Sequence, residues 1–227
     1  MKKPVVDYRE FRLSRINEPR FRHLWLLSGW IVYFILYFIT ENLIPPERCH
    51  VMHCALDDLI PFCEWFAIPY VFWYLLIFGS LLTFLLYDIE SFSRLSIFIM
   101  ITQAVAMVVY ILWPSRQDLR PEVFPRENVL TWVMGLIYAF DTSTGVFPSL
   151  HVAYSIGIAS VWLKKPDASA FAKAFVTVSA VVISIATAFV KQHSVLDIFA
   201  ALPLGVLAEA IVHRRWWREW FARRKTA

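Results

Sequence analysis

Six stretches of this chain run almost without charge for the length an α-helix needs to cross a bilayer. They are residues 24–40, 65–87, 95–115, 142–163, 174–190 and 194–212, the last carrying Asp197 and Glu209. Inside hydrocarbon every backbone N–H and C=O must be satisfied within its own segment. A run of roughly 17–25 apolar residues therefore commits the chain to a helix. Composition agrees, with 59% of residues hydrophobic against about 45–50% in soluble domains even with glycine counted. The expectation is an all-α polytopic membrane protein, a bundle of six transmembrane helices. The first run reads as a retained span rather than a signal peptide, because a long polar segment precedes it and no small-x-small cleavage site follows in 41–46.

Charge then orients the bundle. With both termini in the cytoplasm, the inner segments hold the basic residues of the N-terminal tail, Arg94, Lys164, Lys165, Lys173 and the basic C-terminal tail. Outside remain Arg48, Arg116, Arg120, Arg126 and Lys191. That asymmetry follows the positive-inside rule, and the opposite orientation inverts it. Anionic headgroups account for the basic tails, so no nucleic-acid partner is expected.

The expected organisation is a cytoplasmic tail over 1–23, a membrane domain over 24–212 and a Trp/Arg interfacial tail over 213–227. Tyr8, Phe11, Leu13 and Ile16 alternate with charge, which suggests a short helix lying on the membrane surface. Cys49, Cys54 and Cys63 all fall in the first outer loop, where a disulfide can persist. The cluster Cys49-His50-Val51-Met52-His53-Cys54 fits no structural zinc spacing, so a disulfide-pinned loop is expected and no metal. Residues 128–140 are apolar but too short to span, which predicts an interfacial or re-entrant helix before the fourth span.

This topology gathers three polar stretches, 114–127, 141–151 and 191–197, on one face of the membrane. They contain His151, Lys191, His193 and Asp197, and ionisable groups at the ends of spans are costly enough to suggest function. A lone histidine at a helix end is more often a packed structural residue. Two histidines and a carboxylate brought together by topology are harder to dismiss. His193 and Asp197 are four residues apart and share a helical face. The carboxylate can accept one imidazole N–H and leave the other ring nitrogen nucleophilic. Pro148 and Ser149 precede His151 and suit a helix start, where free N–H groups bind anions. Arg116, Arg120, Arg126 and Lys191 supply cations on the same side. These are the parts required for phosphoryl transfer, which depends on positioning and charge stabilisation.

Phe147-Pro148-Ser149-Leu150-His151, followed by His193-x-x-x-Asp197, resembles the type 2 phosphatidic acid phosphatase superfamily. Within it the leucine form of the second motif is most similar to the inositol phosphorylceramide synthase-like branch and its bacterial relatives. The resemblance implies a phosphohistidine on His193, oriented by Asp197, with His151 protonating the leaving oxygen. Arg120-Pro121 matches the end of the first motif and implies a phosphate-binding arginine. Trp113 stands where that motif opens with lysine, and Ala186 and Thr187 stand where the third motif has Ser-Arg. Lys191 is the nearest candidate for that missing cation, the alternative being that it only anchors the end of the fifth span among headgroups, with Ser149 and Arg116 as further phosphate ligands.

The expected activity is metal- and cofactor-free hydrolysis of a phospholipid, polyprenyl or sphingolipid phosphate near the extracytoplasmic face. The alternative keeps the site and passes the phosphoryl headgroup to an alcohol. A transporter or flippase is the reading from another class, and it would have to use Asp141 and Glu209, neither of which faces an obvious polar partner in the sequence.

Overall fold

The computed structural model describes residues 4–214 of the chain, and it is mostly helical, at 71%. The helices are α1 (Ser28–Leu43), α2 (Ala55–Leu59), α3 (Ala67–Tyr87), α4 (Ile89–Leu112), α5 (Val129–Phe140), α6 (Leu150–Leu163), α7 (Ala170–Phe189) and α8 (Val195–His213). Two short strands, β1 (His50–Val51) and β2 (Ser115–Arg116), pair in parallel. Five helical segments are long and apolar enough to cross a membrane: Arg22–Leu43, Glu64–Tyr87, Ile89–Leu112, Ala170–Phe189 and Val195–His213. Their outer faces expose Leu75, Phe78, Val178, Phe199 and Val206. Such a surface suits hydrocarbon and not water. The chain is a helical membrane protein.

Hydrophobic burial offers little drive between helices in lipid, so close packing through small residues must hold them. α6 packs against α7, α4, α8 and α3 and carries buried Ala153, Ser155 and Gly157. A Cβ on Gly157 would lie 2.4 Å from the Phe98 ring of α4, so only glycine admits this approach. Phe84, Phe92, Leu95, Ile99, Ile158 and Ile183 are fully buried in the resulting core.

Four expectations change. The fourth apolar run, 142–163, is helical only over Leu150–Leu163, because Pro148 offers no N–H and the Ser149 Oγ caps the helix by accepting from Val152 N at 3.4 Å. The N-terminal tail is a series of short 3₁₀ turns, at Tyr8–Glu10, Leu13–Arg15 and Arg22–Leu27, instead of a surface helix. Pairing to the bundle explains it: Val5 N–H donates to Leu86 O, and Tyr8 Oη to Leu85 O at 2.8 Å. Cys49, Cys54 and Cys63 are free thiols. The loop between α1 and α3 is pinned by β1–β2 pairing and by Cys63 N–H on Phe189 O. Finally, Glu209 and Asp141, which seemed to lack polar partners, both have them. Glu209 takes Ser160 Oγ at 2.6 Å and Lys164, and Asp141 joins the network described below. The Trp/Arg tail beyond Arg214 lies outside the described residues.

Candidate active site

The site is assembled by backbone bonds that tie the starts of α6 and α8 to the outer loops. Ser149 N–H donates to Asp197 O at 3.1 Å, locking the first turn of one helix to the first turn of the other. Thr187 O receives both Gln192 N–H and His193 N–H, folding the chain back after α7. β2 bridges to Thr144, and Gly145 N–H donates to Ser115 O. Gly145 adopts φ +60°, a left-handed turn that suits glycine. The three polar stretches thereby converge.

His193 Nε2 lies 3.3 Å from His151 Nδ1, and His193 Nδ1 lies 3.2 Å from Asp197 Oδ2. Asp197 is fully buried and also accepts Ser194 N–H at 3.0 Å. A carboxylate can only accept, so His193 donates from Nδ1 and keeps its lone pair on Nε2. That lone pair faces His151. The His151 ring is held between Trp73 (4.3 Å between centroids) and Tyr70 (4.8 Å). His151 Nε2 and Asp197 Oδ1 are buried without a hydrogen-bond partner among the described residues.

The histidines sit at one end of a cavity of about 810 Å³. Its walls are largely apolar and aromatic, with Trp30, Ile31 and Phe34 of α1 facing Ile77, Phe78 and Leu81 of α3. Leu27, Leu85 and Phe92 line it as well. Around the histidine end are Tyr37, Asp141, Thr142, Thr144 and Gln192.

The expected cations are placed differently from one another. Arg120 reaches the site through Gln192, whose Oε1 accepts from Arg120 Nη2 at 2.6 Å and Nε at 3.1 Å. Gln192 Nε2 in turn donates to Asp141 Oδ2 at 3.1 Å and contacts Tyr70 Oη at 3.3 Å. Arg120 also donates to the carbonyls of Tyr138, Asp141 and Thr142 and lies over the Tyr138 ring at 4.5 Å. Burial lowers its pKa and raises that of Asp141. Arg116 instead pairs with Asp118 at 3.2 Å, and Arg126 with Glu64 at 2.8 Å.

Lys191, expected to bind phosphate, does not reach the site. Its ammonium donates to Asp57 O at 2.9 Å and to Ile60 O, and burial lowers its pKa. Its own backbone adopts φ 55°. Ser149, expected as a phosphate donor, accepts Val152 N–H at the α6 cap through its Oγ, which takes a lone pair and not the O–H. Among the described residues no lysine or arginine lines the cavity, so the cationic cradle reduces to Arg120.

The cluster at 49–54 forms no metal-binding group among the described residues. His53 pairs with Asp58 at 2.8 Å and His50 stacks on Trp113 at 4.8 Å. One buried residue escaped sequence reasoning: Asp57, 2% exposed, which accepts Ser194 Oγ at 2.6 Å and Val195 N–H at 2.8 Å. Its nearby sequence shows only a local helix cap, and nothing there points to a partner at 194.

The chain matches no family model, no curated protein and no solved structure, so the likeness at 147–151 and 193–197 rests on those residues alone.

Proposed function

We propose that this protein is a six-span membrane enzyme that cleaves a lipid phosphate or diphosphate ester through a phosphohistidine on His193. The observation that carries the reading is the Asp197–His193–His151 line, at 3.2 and 3.3 Å, at the polar end of an apolar cavity. A tail in the cavity brings a phosphate to the histidines. His193 Nε2 attacks phosphorus, the bond to the lipid oxygen breaks, and His151 Nδ1–H protonates the departing oxygen. Asp197 holds the imidazole tautomer and balances the charge it develops. Water then attacks the phosphohistidine with His151 as base, releasing phosphate and restoring both rings. Arg120, freed from Gln192, is the cation nearest the phosphoryl oxygens.

In this reading α6 is the fourth span and α5 lies at or in the interface. The termini are cytoplasmic and the histidines face the extracytoplasmic side, as the positive-inside distribution requires. At 14 residues, α6 is about 21 Å long, shorter than a hydrocarbon core of about 30 Å. Its first turn, with His151, is therefore recessed, and Val146, Pro148 and Ser149 of the irregular stretch before it are buried in protein.

A second reading keeps the phosphohistidine and replaces water by an alcohol. Tyr37, Thr142, Thr144 and Asp141 beside the histidines favour it, since hydroxyls and a carboxylate can orient an acceptor hydroxyl. One experiment separates the readings. Purified protein is incubated with phosphatidic, polyprenyl and sphingolipid phosphates, labelled at phosphorus, with and without a polyol acceptor. An acid-labile label on His193 and free phosphate support hydrolysis; label passing to the polyol supports transfer. No label on His193 with any substrate would sink both.

A further inference from the structure

The residues on either side of His193 are held by a single distant residue, Asp57 of α2. Two positions before the histidine, the Lys191 ammonium donates to the Asp57 backbone carbonyl at 2.9 Å. One position after it, Ser194 Oγ donates to Asp57 Oδ2 at 2.6 Å. One further on, Val195 N–H donates to Asp57 Oδ1 at 2.8 Å. Asp57 is itself fixed by Cys54 N–H at 2.8 Å on Oδ2. A carboxylate that is 2% exposed with this many donors is a rigid anchor, because losing any partner leaves a buried charge short of bonds. Lys191 keeps an αL backbone that costs a non-glycine residue energy, and the clamp on Asp57 and Ile60 holds it there.

These contacts have a consequence for the nucleophile. His193 meets Asp197 only if the first turn of α8 stays in register, and that turn begins at Ser194 and Val195, the two residues Asp57 holds. We propose that Asp57 is a positioning residue: the first outer loop sets the aim of His193 through Ser194 and Val195 without touching substrate. Its carboxylate also sits at the positive end of the α8 dipole, which favours its ionised form. The proposal rests on His193 being the nucleophile, so the test reads both turnover and His193 directly.

The variant is Asp57→Asn, which keeps the size and one acceptor but cannot accept from both Ser194 and Val195 and Cys54 as the carboxylate does. kcat and KM are measured on the best lipid phosphate. The ring nitrogens of His193 are followed by ¹⁵N NMR in protein labelled at histidine and assigned with His193→Gln. Asp57→Asn is expected to lower kcat on the order of 10²-fold with KM little changed, as for a nucleophile about 1 Å out of place. The separate Nδ1–H and bare Nε2 signals are expected to move towards an averaged, tautomer-exchanging pair. Ser194→Ala breaks the same bond from the other side, and the double variant should lose much less than the product of the single losses. If Asp57→Asn does not fold, Ser194→Ala carries both readouts.

An unchanged His193 spectrum overturns the proposal, whatever happens to kcat, because an unmoved nucleophile leaves a loss of rate to some other cause. If the wild type turns over no lipid phosphate, the catalytic reading fails, and the spectrum alone still decides whether Asp57 positions His193.

Discussion

In the proposed mechanism His193 and His151 make different demands on a substrate, and their distinct places in the hydrogen-bond line predict different phenotypes. His193→Ala should abolish turnover, since no other described side chain at the site carries a free nitrogen lone pair against Asp197. His151→Ala should cost about 10²–10⁴-fold on a lipid ester but far less on p-nitrophenyl phosphate, whose leaving oxygen needs no proton. Equal losses on p-nitrophenyl phosphate would undo the roles. Lys191 is bonded to the loop that carries Asp57 and Ile60. Lys191→Gln strips two buried carbonyls, of Asp57 and Ile60, of their donor and should cost about 1–3 kcal/mol of stability. Arginine should not restore it, because a planar fork does not fit the space of an ammonium. Thermal unfolding in detergent is the measurement; a drop in phosphate affinity at unchanged stability would reverse this assignment. The two histidines and Asp197 could be read from the sequence because helical spacing and loop topology fix them. The fate of Lys191 could not, because the carbonyls it binds, of Asp57 and Ile60, lie 134 and 131 positions away.

At the scale of the element, α6 decides the architecture. It is buried on several sides, and its contact with α4 depends on Gly157, where a Cβ would meet Phe98 Cδ1 at 2.4 Å and Cε1 at 2.6 Å. Gly157→Ala should therefore destabilise by about 1–3 kcal/mol through overpacking, against the gain in helix propensity that alanine brings elsewhere. The comparison is Gly79→Ala, where nothing lies within 4 Å of the added Cβ; if both variants unfold at the same temperature, close packing at Gly157 is not what holds α6. The apolar runs located every long helix, since a bilayer-length pattern survives any tertiary context. The start of α6 was misplaced, because hydropathy continues through 142–149 while Pro148 and Ser149 end the irregular stretch. The N-terminal tail was misread for a related reason: it bonds to the end of α3, with Tyr8 Oη donating to Leu85 O at 2.8 Å.

Across the whole molecule, the cavity and the loops above it make one unit. Filling the groove with Leu81→Trp should reduce kcat/KM for long-chain lipid phosphates by roughly tenfold while sparing short-chain analogues. Equal effects on both would mean that the tail lies elsewhere. The orientation is checked at Glu127, an exposed residue before α5. Glu127→Cys, with the three native cysteines removed, should react with an impermeant thiol reagent in intact cells; reaction only after permeabilisation inverts the bundle. The convergence of the polar stretches was legible from topology. What closes them was not, since hydrogen bonds between residues 137 positions apart leave no periodic trace in a sequence. That separation sets an order of events during synthesis. Asp57 leaves the ribosome long before Ser194, and at about 5–20 residues per second the wait is roughly 7–27 s. Through that interval its carboxylate has neither Ser194 nor Val195 to hold. A ribosome that stalls before α8 therefore leaves a chain in which Asp57 lacks both of these partners.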